Sequence, residues 1–222
     1  GNSGSMGWGG TGPCSLDGTG SSLIGMAILA ALITLVTLGF GFPWALCMIL
    51  KWQKNHTMIG GRRLTFTGTG GQLIGRWILW YILTVITFGL FSYYMVISLQ
   101  KWIVKHTCFD GLNVPAGYVP QNSYFDGGFW EYVGNAILAA LIIVCTIGIA
   151  APWAIVILQK YFMNHTVIEG KRMSFTGRGG SFFGQMIIIG LLSIITAGIY
   201  YPWGVCRLNK WIWDNTTPTL GM

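Results

Sequence analysis

Three histidines, His56, His106 and His165, stand at equivalent places along the chain, each followed by a threonine. Gathered about an axis, they would offer imidazoles to a metal ion or a relay to protons. The fourth equivalent position is Asn215, and no carboxylate recurs beside them. They are therefore read first as residues at helix C-termini, where a partly cationic ring favours the dipole. Glycine-rich stretches at 68–71 and 177–180 resemble phosphate loops, but neither continues into Gly-Lys-Ser/Thr, and they read as turns leading into apolar runs. Cys14, Cys47, Cys108, Cys145 and Cys206 include no C-x-x-C pair, so neither a disulfide framework nor a zinc site is expected. No acid, base, nucleophile or metal cluster recurs. The sequence assigns no catalytic residue, metal or cofactor, and an enzyme is the weakest reading.

Charge at the ends of apolar runs is the better lead. Lys51, Lys101, Lys160 and Lys210, joined by Arg207, are placed where they could clamp anionic lipid headgroups, ring an opening for an anion, or simply snorkel to the interface. Trp52, Trp102, Tyr161 and Trp211 follow the four lysines and are candidate interfacial anchors. Arg76 and Glu131, near the starts of two apolar runs, are candidates for a pair across the halves of the chain.

The elements that carry these residues are set by composition and period. Of 222 residues 53% are hydrophobic and 9% charged, against roughly 25% charged in a soluble domain. With a mean hydropathy of +0.59, lipid is the expected solvent for much of the surface. Thirteen Lys+Arg against six Asp+Glu give +7, but the cations lie between apolar runs, so membrane topology explains them before nucleic acid does. Residues 1–14 read as a tail. Residues 1–5, ahead of Met6, have the look of a cloning remnant, although Gly1 with Ser5 also fits a myristoylation pattern.

A Thr-x-Gly step ends four apolar runs in a common register, at Gly39, Gly89, Gly148 and Gly198, spaced by 50, 59 and 50 residues. An upstream glycine, a downstream aromatic and the lysine-aromatic pair keep the same register, so the chain is four copies of one unit. Residues 15–111 form one pair of repeats and 124–217 the other, with a linker at 112–123 and a tail at 218–222. Glycine closing one apolar run and Pro43, Pro152 or Pro202 opening the next marks a helix-turn-helix. The fold expected is an all-α integral membrane protein of four such repeats, about eight short membrane helices in two similar halves. Alternation around Gly60-Gly61 and Glu169-Gly170 predicts small cytoplasmic β-hairpins as connectors, with a turn at Asp110-Gly111. Charge-free turns opposite basic connectors favour two crossings per repeat and cytoplasmic termini. A second helix that crosses only partly, or lies in the interface, stays open.

Phe66 to Gly71 and Phe175 to Gly180 (Phe-Thr-Gly-x-Gly-Gly), Ile86 to Gly89 and Ile195 to Gly198 (Ile-Thr-x-Gly), Pro202-Trp203, and Asn164 with Gly170 to Phe175 resemble the YjgN-like bacterial inner-membrane proteins, a family of unknown function. The resemblance runs from about residue 15 to 217. It implies a helical inner-membrane protein of hairpin repeats and supplies no activity. The expected function is that of a noncatalytic multi-pass protein, structural or accessory, that packs against membrane lipids, copies of itself or a larger membrane complex. The alternative is a channel or transporter for a small solute or anion, with Thr34, Thr37, Thr84, Thr87, Ser193 and Thr196 as its polar lining.

Overall fold

The computed structural model describes residues 15–16, 19–109 and 114–219. Each repeat contributes a long and a short helix: α1 (Gly20–Val36) with α2 (Phe42–Asn55), α3 (Gly70–Ile86) with α4 (Phe91–Lys105), α5 (Phe129–Cys145) with α6 (Ala151–Asn164), and α7 (Gly179–Ile195) with α8 (Tyr201–Asp214). One threonine builds each connecting turn. The hydroxyls of Thr37, Thr87, Thr146 and Thr196 donate to the carbonyl four residues back at 2.6, 2.8, 2.6 and 2.7 Å, ending the long helix. The same oxygens accept the N–H four residues on, at 2.7, 3.0, 3.1 and 3.0 Å, capping the short helix. Between those two bonds the chain reverses through consecutive left-handed residues, such as Leu38 at φ 53° and Gly39 at φ 90°.

The far ends of the short helices run into two antiparallel sheets. The first has the order β1 (Ser15–Leu16), β2 (Thr57–Ile59), β3 (Arg62–Phe66), β4 (Thr107–Phe109); the second has β5 (Tyr124–Phe125), β6 (Thr166–Ile168), β7 (Lys171–Phe175), β8 (Thr216–Thr219). The β2–β3 and β6–β7 turns use Gly60-Gly61 and Glu169-Gly170 at positive φ, as two-residue hairpins require. Ile59, Leu64 and Phe109 from one sheet meet Ile168 and Met173 from the other, with Trp213 of α8 completing this core. A bond of 3.2 Å from the Phe109 N–H to Glu169 Oε1 ties the sheets together.

Along the chain each helix packs on the next, and α8 returns to pack on α1, so the four repeats close into a ring. The joints between repeats share one device. The rings of Trp44, Trp153 and Trp203 lie where a Cβ on Gly70, Gly179 or Gly20 of the next repeat would stand. At the remaining joint Tyr94 meets Phe129, with ring centroids 5.9 Å apart.

The expectation of an all-α integral membrane protein with about eight membrane helices is therefore corrected. Strands pair into two four-stranded sheets, and no helix among the described residues is long and apolar enough to cross a membrane. The Thr-x-Gly turn stops each long helix at 17 residues, a rise of about 25 Å against a hydrocarbon layer of ~30 Å. The expected turn at Asp110-Gly111 lies outside the described residues.

Candidate functional site

The histidines are used locally. Nδ1 of His56, His106 and His165 faces the carbonyl four residues back at 2.6, 2.8 and 2.8 Å, and Asn215 Nδ2 donates to the corresponding carbonyl at 2.8 Å. The threonines that follow do the same: Thr57, Thr107, Thr166 and Thr216 donate to carbonyls of the last helical turn at 2.7–2.8 Å. The threonines thus serve carbonyls of the helix end, while the carbonyl facing each ring or amide also accepts the backbone N–H of that same residue. Burial holds His106 below the usual imidazole range, with Lys105 and Arg76 adding to that effect. No group of three His, Cys, Asp or Glu among the described residues could hold a metal ion.

The polar residues expected to line a channel are also committed to their own helices. Thr34 and Thr84 donate to Ala30 and Trp80 carbonyls at 2.9 and 2.7 Å, and the other threonines form the turns. Ser193 is half-buried, its hydroxyl oxygen sealed from solvent with no partner among the described residues.

Lys51 is half-buried, Lys101, Lys160 and Lys210 are exposed, and none of the four forms an ion pair with another described residue. Arg207 Nε donates to Gln185 Oε1 at 2.6 Å. Trp52, Trp102 and Tyr161 are buried and Trp211 is half-buried; Trp102 and Trp211 meet Phe66 and Phe175 edge-on at 5.5 and 5.8 Å. Glu131 reaches His165 Nε2 at 3.3 Å, and not Arg76, because the two belong to one repeat entrance.

Two groups were not singled out from sequence. Lys54 ends α2 half-buried, its ammonium 5.3 Å from the Trp213 ring, and burial pushes its pKa down to about 8. Asp126 and Arg172 bond twice, at 2.6 and 3.3 Å, and the guanidinium holds the Asp126 carboxyl below its usual range. Only the sheet order, with β6 between β5 and β7, brings this pair together.

Opposite the sheets, the hairpin tips form the unusual surface. Leu38, Phe88 and Ile147 are 89%, 99% and 92% exposed, and each sits at positive φ, where a bulky side chain costs roughly 1–2 kcal/mol. Leu35, Val36, Ile86, Val144, Ile194 and Ile195 extend that exposed apolar surface down the long helices. Residues 37–42, 87–91, 146–151 and 196–201 contain no charge at all. The cations Lys54, Arg62, Arg63, Lys105, Lys171 and Arg172 all lie at the sheet end.

Residues 11–79 and 170–218 match the model of a family described as bacterial protein of unknown function (DUF898). The chain belongs to that family. The two matched segments meet in space, since α8 packs on α1 and β1 where the ring closes. No curated protein and no solved structure matches.

Proposed function

We propose that this family member is a noncatalytic protein of the bacterial inner membrane, seated in the cytoplasmic leaflet by its four hairpin tips. The observation that carries the reading is the trio Leu38, Phe88 and Ile147: apolar, almost wholly exposed, and held at a backbone angle that disfavours them. A tip that met water would gain from asparagine or glycine there, in conformation and in solvation alike. A tip that meets hydrocarbon gains from leucine, phenylalanine or isoleucine. The hairpins enter and leave on one side, which needs no helix of full membrane length. The basic sheet end then faces the cytoplasm, and the termini with it, on the side of a membrane protein where Lys and Arg are in excess. Packing against lipid, other copies or a larger membrane complex is the role that fits a surface with exposed aromatic and small residues and no recurrent catalytic group.

Flotation with phosphatidylcholine vesicles tests this. The triple variant L38N/F88N/I147N should keep the helix content of the wild type and lose most vesicle binding. Full binding by a folded triple variant would overturn the reading.

A further inference from the structure

A cavity of about 570 Å³ opens between α6 and the turn that leads into α7. Trp153, Val156, Ile157 and Lys160 line it from one face of α6, as their spacing requires, and residues 177–181 line it from the other side. Its lining contains two cations, Lys160 and Arg178, and no acidic residue. Both cations are exposed, and neither charged side chain has a hydrogen bond or ion pair to another described residue. The cavity thus joins an apolar wall to a pair of uncompensated positive charges. Around them the first turn of α7 has neither a side-chain cap nor an acidic residue, and open space lies where a Cβ on Gly180 would stand.

The equivalent residues in the first half are bonded within the protein itself. Thr69 stands where Arg178 does, its N–H donates to Gln72 Oε1 at 3.3 Å, and the Gln72 amide donates to the Gly117 carbonyl at 3.4 Å. Ser181 in place of Gln72 makes no such bond to another segment, its hydroxyl turning back to the Arg178 carbonyl at 2.9 Å.

We propose that this cavity binds one anionic phospholipid, its phosphate between Arg178 and Lys160 and an acyl chain against Trp153, Val156 and Ile157. The proposal rests on the membrane reading above and names the lipid class that reading leaves open. Two guanidinium or ammonium contacts supply the charge match, and the apolar wall distinguishes a lipid from a free phosphate.

The experiment compares flotation of the full chain with vesicles of phosphatidylcholine alone and of phosphatidylcholine with phosphatidylglycerol. Wild type should prefer the mixed vesicles. R178Q/K160Q should lose that preference by about tenfold or more while still floating with phosphatidylcholine. R76Q/K105Q removes as much charge elsewhere and should retain the preference, as should R178K/K160R, which keeps both charges at the site. Equal loss in R178Q/K160Q and R76Q/K105Q would reduce the effect to general surface charge and overturn the site; so would no loss in R178Q/K160Q. Inorganic phosphate that abolishes the preference as fully as a short-chain phosphatidylglycerol would reassign the cavity to free phosphate and overturn the lipid. Wild type that floats with neither vesicle fails the membrane reading itself, an outcome distinct from all of these.

Discussion

Among single residues, Lys54 carries the clearest consequence for stability. Its folded pKa, about 8, lies below the 10.5 of an unperturbed lysine. The unfolded chain therefore binds the proton more tightly between those values, and stability rises with pH from about 8 to 10.5. Below that window the cost of a charged Lys54 is fully present, offset in part by the Trp213 ring. Lys54→Met should raise stability at pH 7 by about 1 kcal/mol, the charge being half-buried rather than sealed. Thermal melts at pH 7, pH 9 and pH 10.5 check this: the variant should gain at pH 7, lose part of that advantage at pH 9 and most of it by pH 10.5. A variant less stable than wild type at pH 7 would show that the cation–ring contact outweighs burial. From sequence alone Lys54 was one lysine among several beyond an apolar run. Its depth follows from α8 bringing Trp213 over the end of α2, a contact between residues more than 150 positions apart that no local pattern announces.

At the scale of the element, the hairpin turn is the unit that repeats most faithfully, and one hydroxyl makes it. Removing that hydroxyl frees a backbone N–H at the start of the short helix, while the carbonyl at the end of the long one keeps its bond from the threonine's own N–H. Thr87→Val should cost about 1–2 kcal/mol, read as a lower melting temperature with the far-ultraviolet spectrum unchanged. The second repeat is the place to measure it, because there no proline assists the start of the short helix. The turns, the helix pairs and the β2–β3 and β6–β7 hairpins were legible because glycine, proline, threonine and the apolar period act within a few residues of one another. The sheets were not. β3 finds β4 across the whole α3–α4 hairpin, and β7 finds β8 across α7–α8, so alternation in a five-residue strand marked a hairpin and left its outer partners unseen. Helix length misled in the other direction: composition pointed to lipid, but it is the fixed Thr-x-Gly step that sets where each helix stops. The histidines were legible as helix ends for the same local reason that made the turns so.

For the whole molecule, the aromatic-on-glycine joints decide whether the ring closes. Gly20→Val places a side chain where the Trp203 ring lies and should destabilise the closing joint by about 1–3 kcal/mol. Gly25→Ala, one turn further along the same helix and facing open space, should be neutral or stabilising by up to about 1 kcal/mol. Matched denaturation curves for the two variants test this; equal effects would mean that Trp203 does not hold Gly20. Closure also bears on how such a chain can change in evolution. An open stack of repeats lengthens one unit at a time, because a new unit needs only one neighbour. Here the last unit must also fit the first, so a fifth copy would have to alter the angle at every joint at once. Growth by single units is barred, whereas fusion of two identical half-rings would close at once. A half-chain that paired as a symmetric dimer would yield such a ring by a single fusion, and nothing would then hold the two halves identical: Thr69 and Gln72 stand in one where Arg178 and Ser181 stand in the other.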